Sequence, residues 1–199
     1  GAGATCYVDA VHYAPHGPID VRALDCDFLV CSPYKFFGPH AGVLYGKREH
    51  LARLRPCKVR PAPDEAPDCW EAGTQNHEGI AGVAAAIDYL AELGARSAGT
   101  GKAPTSRREA LLLAMSAIRE YESRLTARLI HGLLAIPGLT VYGITDAKRA
   151  GWRTPTISVR ITGHSPRDLS RSLAGRGIFA WDGNYYAINL TDLLGVEDT

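Results

Sequence analysis

The chain has 199 residues, 46% of them hydrophobic and 22% charged, an ordinary globular composition that excludes wholesale disorder. A formal net charge of +1 gives no reason to expect a nucleic-acid partner, and no apolar run approaches the length that spans a bilayer, so no membrane partner is expected either. The five cysteines form no C-x-x-C pair, which argues against a zinc ribbon and for a reduced, cytoplasmic setting.

In chain order, residues 5–8 read as a short buried strand ending at Asp9, residues 28–31 as a second and residues 42–46 as a third. The basic residues Arg53, Arg55, Lys58 and Arg60 read as a solvated loop. Asn76 can cap a helix running from His77 to about Leu93, with Ile80, Val83, Ala84, Ile87 and Leu90 on one face. Residues 94–104 read as a small-residue loop. Ser106 and Glu109 match a capping box that opens a long helix to about Ala135, and Pro137-Gly138 stops it. Strands are then expected at 139–142 and 155–161. A helix follows from Ser165, with Pro166 at its first position and Asp168 in its first turn. Residues 177–181 are a last strand candidate, and nothing after Gly195 reads as a terminal element. The pattern predicts an α/β unit over 1–100 with a mainly parallel sheet, then a smaller α+β unit over 101–199.

Ser32-Pro33-Tyr34-Lys35-Phe36-Phe37-Gly38-Pro39-His40 places one lysine among aromatic and small residues at the end of a buried strand. Such a setting is expected to desolvate the ammonium and free the amine as a nucleophile toward a carbonyl. In an α/β sheet, ligands bind outside the carboxyl ends of the strands, so Asp9 and the segment from Ser32 to Lys35 are expected to face one crevice. An acid and a lysine converging there suit pyridoxal 5'-phosphate: the lysine takes the aldehyde, and the carboxylate keeps the pyridine nitrogen protonated. The plainer readings are a surface lysine in a turn and a strand-end carboxylate.

Val8-Asp9-Ala10-Val11-His12, Ser32-x-x-Lys35 with Gly38-Pro39, and Glu71-x-Gly73-Thr74-Gln75-Asn76 together resemble the class V aminotransferases, in their cysteine-desulfurase-like branch. The resemblance runs in order across nearly the whole chain and implies a fold type I pyridoxal-phosphate transferase. It makes Lys35 the Schiff-base lysine, Asp9 the partner of the pyridine nitrogen, and His12 a neighbour of the cofactor's phenolic oxygen. Ser32 would bind the phosphate, and Thr74 would reach the phosphate of the neighbouring subunit's cofactor, implying a homodimer with shared active sites and an amino-acid substrate.

The chain departs from the family pattern in three places. Tyr34 stands where relatives often carry a phosphate-contacting histidine. In residues 177–187, Tyr186 occupies the position of the desulfurase persulfide cysteine and Trp181 that of a substrate-binding arginine. A phenol cannot accept sulfur as a thiolate does, so desulfuration by the usual route is not expected. Neither a phosphate-cradling loop with its ring-stacking residue nor a carboxylate-binding arginine can be found, so the chain reads as an internal piece of a longer protein. A non-catalytic module of this fold is therefore the alternative. A remoter one is a metal-dependent hydrolase using Asp9-x-x-His12-x-x-x-His16, which Pro15 disfavours as a helical ligand set.

Overall fold

In the computed structural model, which describes residues 2–99 and 101–196, the chain divides into two units, Gly1–Glu122 and Ser123–Thr199. The first unit holds a three-stranded sheet of β1 (Tyr7–Asp9), β2 (Phe28–Cys31) and β3 (Val43–Gly46), in that spatial order. β1 and β2 run parallel with Asp9 opposite Val30, while β3 pairs antiparallel to β2 with Cys31 opposite Val43. This is a mixed sheet with its antiparallel strand at one side, a common α/β arrangement. Beneath it Ala10, Cys26 and Leu29 are buried, with Val8, Ile19, Val21 and Tyr45 packed around them.

A short helix α1 (Val21–Leu24) precedes β2, with Asp20 accepting the backbone N–H groups of Arg22 and Ala23. α2 (Arg48–Arg53) follows β3, and neither short helix was expected from the sequence. Asp27 ties this part together. Its carboxylate accepts the Cys6 N–H at 2.8 Å and the His50 Nε2 at 2.9 Å, and Lys47 Nζ lies 3.1 Å away. The Cys6 N–H first, then Lys47 and His50, pull this carboxyl down to about 2. An unfolded aspartate titrates near ~3.9. The stability Asp27 contributes is thus complete above that value and lost as pH falls from about 4 toward about 2. Thermal melts followed by circular dichroism should show a midpoint that drops steeply across this window. In Asp27→Asn the midpoint should be lower at pH 7 and should fall less steeply through the window; an unchanged acid slope would refute the assignment.

α3 (His77–Ser97) starts where expected, with Asn76 Oδ1 accepting the Gly79 N–H at 2.9 Å, but it runs four residues past the expected end. Gly94 is buried within it because α4 (Arg107–Leu134) passes directly beside it: a Cβ there would run into the Ala110 carbonyl oxygen. Glycine here serves close helix packing rather than a loop. Residues 101–104 are non-helical, whereas Thr100, in the same expected loop, lies outside the described residues. The capping box of α4 forms at Ser106 as expected, with only its return bond displaced by one residue. Ser106 Oγ accepts the Glu109 N–H, while the Glu109 carboxylate accepts the Thr105 N–H at 2.7 Å and its hydroxyl at 2.8 Å. Those two bonds hold the Glu109 carboxyl below the usual carboxylate range.

α4 continues into the second unit, where β4 (Leu139–Tyr142) pairs antiparallel with β5 (Ser158–Ile161). α5 (Pro166–Ala174) is capped by Ser165, whose Oγ accepts the Asp168 N–H. Residues 177–181 are not a strand. The Ile178 N–H closes the end of α5 on the Leu173 carbonyl, the Ala180 carbonyl accepts the Ser170 hydroxyl, and Phe179 and Trp181 are exposed. With its backbone committed this way, the segment joins no ladder. A further helix, α6 (Ile188–Leu194), ends at Gly195 in the left-handed conformation. The expected lack of a terminal element beyond it falls mostly on residues 197–199, which lie outside the described residues. Among the described residues, no helix is long and apolar enough to cross a membrane.

Candidate active site

The parallel β1–β2 pair sets the geometry. Asp9 and Val30 are register partners and the Ala10 N–H donates to the Val30 carbonyl, so both chains leave the sheet at the same end. From that end β1 continues into a turn carrying His12 and His16, and β2 into Ser32 and a 3₁₀ turn, Pro33–Phe36. The Lys35 N–H donates to the Ser32 carbonyl at 3.1 Å and the Gly38 N–H to the Pro33 carbonyl at 2.8 Å. Pro33 is fully buried, and Phe37 takes the left-handed conformation at φ 71°. Gly38 has no room for a side chain, since a Cβ there would sit 2.8 Å from the Pro33 Cβ.

On this rigid turn the Lys35 side chain is exposed, its Nζ 5.7 Å from the centre of the Tyr34 ring. The desolvation expected from the aromatic neighbours does not occur in this chain. Tyr34 turns aside to stack on His40 at 4.8 Å, and Phe37 meets Tyr89 of α3 edge-on at 5.1 Å. Asp9 is exposed, and its Oδ1 accepts the Val11 N–H at 2.9 Å in a local turn. Ser32 is half-buried at the start of the 3₁₀ turn, and its hydroxyl makes no capping bond there.

His12 is accessible, yet partial burial, followed by the positive charges of His16 and then Lys35, lowers its pKa below the ordinary imidazole value. His12 and Lys35 therefore share one electrostatic neighbourhood, and the structure brings Asp9, His12, Ser32 and Lys35 to one end of the sheet. Thr74 is exposed on the loop before α3, after Gly73 at φ 91°.

A further contact braces the turn that carries His12. His16 Nδ1 lies 3.0 Å from Glu122 Oε2, a pairing across 106 residues with no local signal in the sequence. This contact commits His16 Nδ1 to Glu122. Among the described residues, no three His, Cys, Asp or Glu side chains group as a metal set. In the second unit Tyr186 is fully exposed at φ 64°, and Tyr185 bonds its hydroxyl to the Trp181 carbonyl.

The family model "Aminotransferase class-V" matches residues 1–108, just over half the chain. The chain belongs to the class V aminotransferase family. Its relatives include a cysteine desulfurase of Pectobacterium atrosepticum, 33% identical over 98% of this chain and 45% of that protein. Another is a cysteine desulfurase of Escherichia coli O127:H6, 31% identical over 94% of this chain and 43% of that protein.

Among solved structures, the cysteine desulfurase of Thermococcus onnurineus superposes with a TM-score of 0.78 at 25% identity, over 98% of this chain and 46% of that one. The Escherichia coli desulfurase CsdA gives 0.73 at 29%, over 98% and 45%. The α/β fold expected from the sequence, part of fold type I, is the fold these chains share. This member of the class V family spans less than half the length of the relatives it matches.

Proposed function

We propose that the chain is the central and later part of a pyridoxal-phosphate-dependent enzyme acting on an amino acid. In this reading residues 1–100 close the cofactor-binding domain and residues 101–199 begin the smaller one. The observation that carries it is the parallel register of β1 and β2, which sends Asp9 and the Lys35 turn out of the same sheet end. The donor set suits the group: a carboxylate for a ring nitrogen, a primary amine for an aldehyde, and a hydroxyl at the head of a turn for phosphate.

Pyridoxal phosphate, when bound, supplies an electron sink for a substrate carbanion. Lys35 would hold the aldehyde carbon and, once displaced by a substrate amine, move the proton at the substrate α-carbon as base and then acid. Asp9 would hold the proton on the pyridine nitrogen. His12, whose partial burial and positively charged neighbours favour the neutral imidazole, would offer a hydrogen bond to the ring oxygen. Ser32 would donate to the phosphate, and Thr74, exposed on its separate loop, would serve the site of a second copy, which makes the enzyme a homodimer.

With Tyr186 in the position of the persulfide thiol, we assign transamination or elimination at the β-carbon rather than sulfur transfer through an enzyme thiolate. Tyr186 and Trp181 also motivate the second reading, a non-catalytic module of the same fold. Borohydride reduction of the full-length protein with pyridoxal phosphate, followed by peptide mapping, separates the two. The proposal expects one labelled site per chain, at Lys35. Labelling spread over several lysines, or none, would leave the module reading in place.

A further inference from the structure

Glu122 of α4 reaches the same turn that carries His12. Its two oxygens lie 3.0 and 3.2 Å from His16 Nδ1, with the His16 and Glu122 side chains 19% and 28% exposed. A carboxylate can only accept, so the contact places a proton on Nδ1 and fixes both the plane and the tautomer of the His16 ring. That ring meets His12 edge to face, with centres 5.3 Å apart and planes 62° from parallel.

The turn between the two histidines is held from within by backbone bonds from Ala14 to Ala10 and from His16 to Tyr13. Gly17, next along the chain, is buried under the Tyr13 hydroxyl and the Arg119 side chain of α4. His12 therefore sits on a braced turn, against a ring whose orientation is set from a distant helix. The charged and titratable groups around the pair include Glu122 and Arg119 from α4, Tyr13 from the turn itself, and Lys35 from the 3₁₀ turn.

We propose that Glu122 and His16 form a positioning pair that holds the His12 imidazole in place for its contact with the cofactor. The inference rests on the functional reading above only for what His12 touches; the pair itself is a property of this chain. Neither residue meets the reacting atoms, and both act through His12.

The test is nitrogen-15 NMR of histidine side chains in the full-length protein, with absorption spectra of bound pyridoxal phosphate beside it. In the wild type, neutral His16 is expected to carry its proton on Nδ1. Glu122→Ala should move that proton to Nε2, shift the His12 resonances and change the pH dependence of the cofactor band. It should also weaken cofactor retention, by about tenfold if the loss matches that of a partner orienting a metal-ligating imidazole. Glu122→Gln keeps an acceptor oxygen and should restore the Nδ1 tautomer and most of the retention.

A wild-type His16 protonated on Nε2 overturns the pairing without any variant, so a Glu122→Ala protein that fails to fold does not protect the proposal. Unchanged His12 resonances in a folded Glu122→Ala overturn the positioning role. A protein that never binds the cofactor sinks the functional reading instead, and the NMR arm is still read.

Discussion

Lys35→Ala is expected to abolish the absorption of bound pyridoxal phosphate in the full-length protein and to lower turnover of an amino-acid substrate by at least about 10²–10⁴-fold, the usual worth of a positioned acid–base group. The fold should be untouched. Lys35 is exposed and its turn is held by buried Pro33 and by the Gly38 N–H, so the substitution resembles a surface change, worth within about 0.5 kcal/mol. Lys35→Arg separates two explanations, because arginine keeps the positive charge but cannot lose its proton to become a nucleophile. If charge alone mattered, Arg would rescue; if the amine matters, Arg should be as inactive as Ala. Retained absorption and turnover in Lys35→Ala would remove the enzymatic reading.

The second large effect is on stability, and two magnitudes compete for its sign. In an ordinary helix interior, Gly→Ala gains about 1 kcal/mol from backbone propensity. At Gly94 the new Cβ would strike the Ala110 carbonyl, with that carbonyl's carbon at 2.7 Å and the Ala114 nitrogen at 3.0 Å. These are backbone atoms of α4, which no rotamer change can move aside. Relief requires the helices to part, opening the packing of Ala86 and Leu90 on α3 and of Ala110 and Ala114 on α4, all of them buried. Overpacking a core costs about 1–3 kcal/mol or more, and a backbone obstacle puts Gly94 at the upper end. Gly94→Ala should therefore destabilise by about 2 kcal/mol, and Gly94→Val should leave little folded protein. Gly132 is the control: its Cβ would meet nothing within 4 Å, so Gly132→Ala should stabilise by about 0.5–1 kcal/mol. Equal signs at the two positions in urea titrations would contradict this account.

Features decided by local interactions are legible in this sequence, and those decided by distant partners are not. Asn76 and Ser165 were legible because a cap is a local hydrogen bond, decided within three residues. β2 is legible from an apolar run that is buried at Phe28 and Leu29, whereas β1 forms where its apolar run predicts but, against the expected burial, leaves Cys6 and Tyr7 exposed and Val8 only half-buried. Gly94 reads as a loop residue because glycine breaks isolated helices, whereas in the fold it admits a neighbouring backbone that only the folded chain supplies. Residues 177–181 looked like a strand by composition, but a strand is defined by a partner, and their backbone groups had been taken by α5.

The site divides in the same way. Asp9 and Lys35 could be named from strand ends and motif, and the parallel register then explained why they emerge together. The aromatic neighbours of Lys35 suggested burial. Sequence does not say which way side chains turn, and Tyr34 and Phe37 turn to His40 and Tyr89. The Glu122–His16 pair could not be read at all: two residues 106 apart meet only because α4 passes the turn.

The 3₁₀ turn that carries Lys35 has a thermodynamic consequence for ligand capture. With Pro33 buried, Phe37 at positive φ and Gly38 fitted against the proline, the backbone of the turn is constrained before a ligand arrives and has less freedom to lose than an open loop. The torsions of the lysine stem are still to be frozen, at about 2 kcal/mol of rotamer entropy. An amine on a flexible loop would also lose about 1–2 kcal/mol for every backbone residue it had to order. The turn thus divides mobility between two parts: a side chain free to swing between a carbonyl carbon and an α-proton, on a pivot that does not drift.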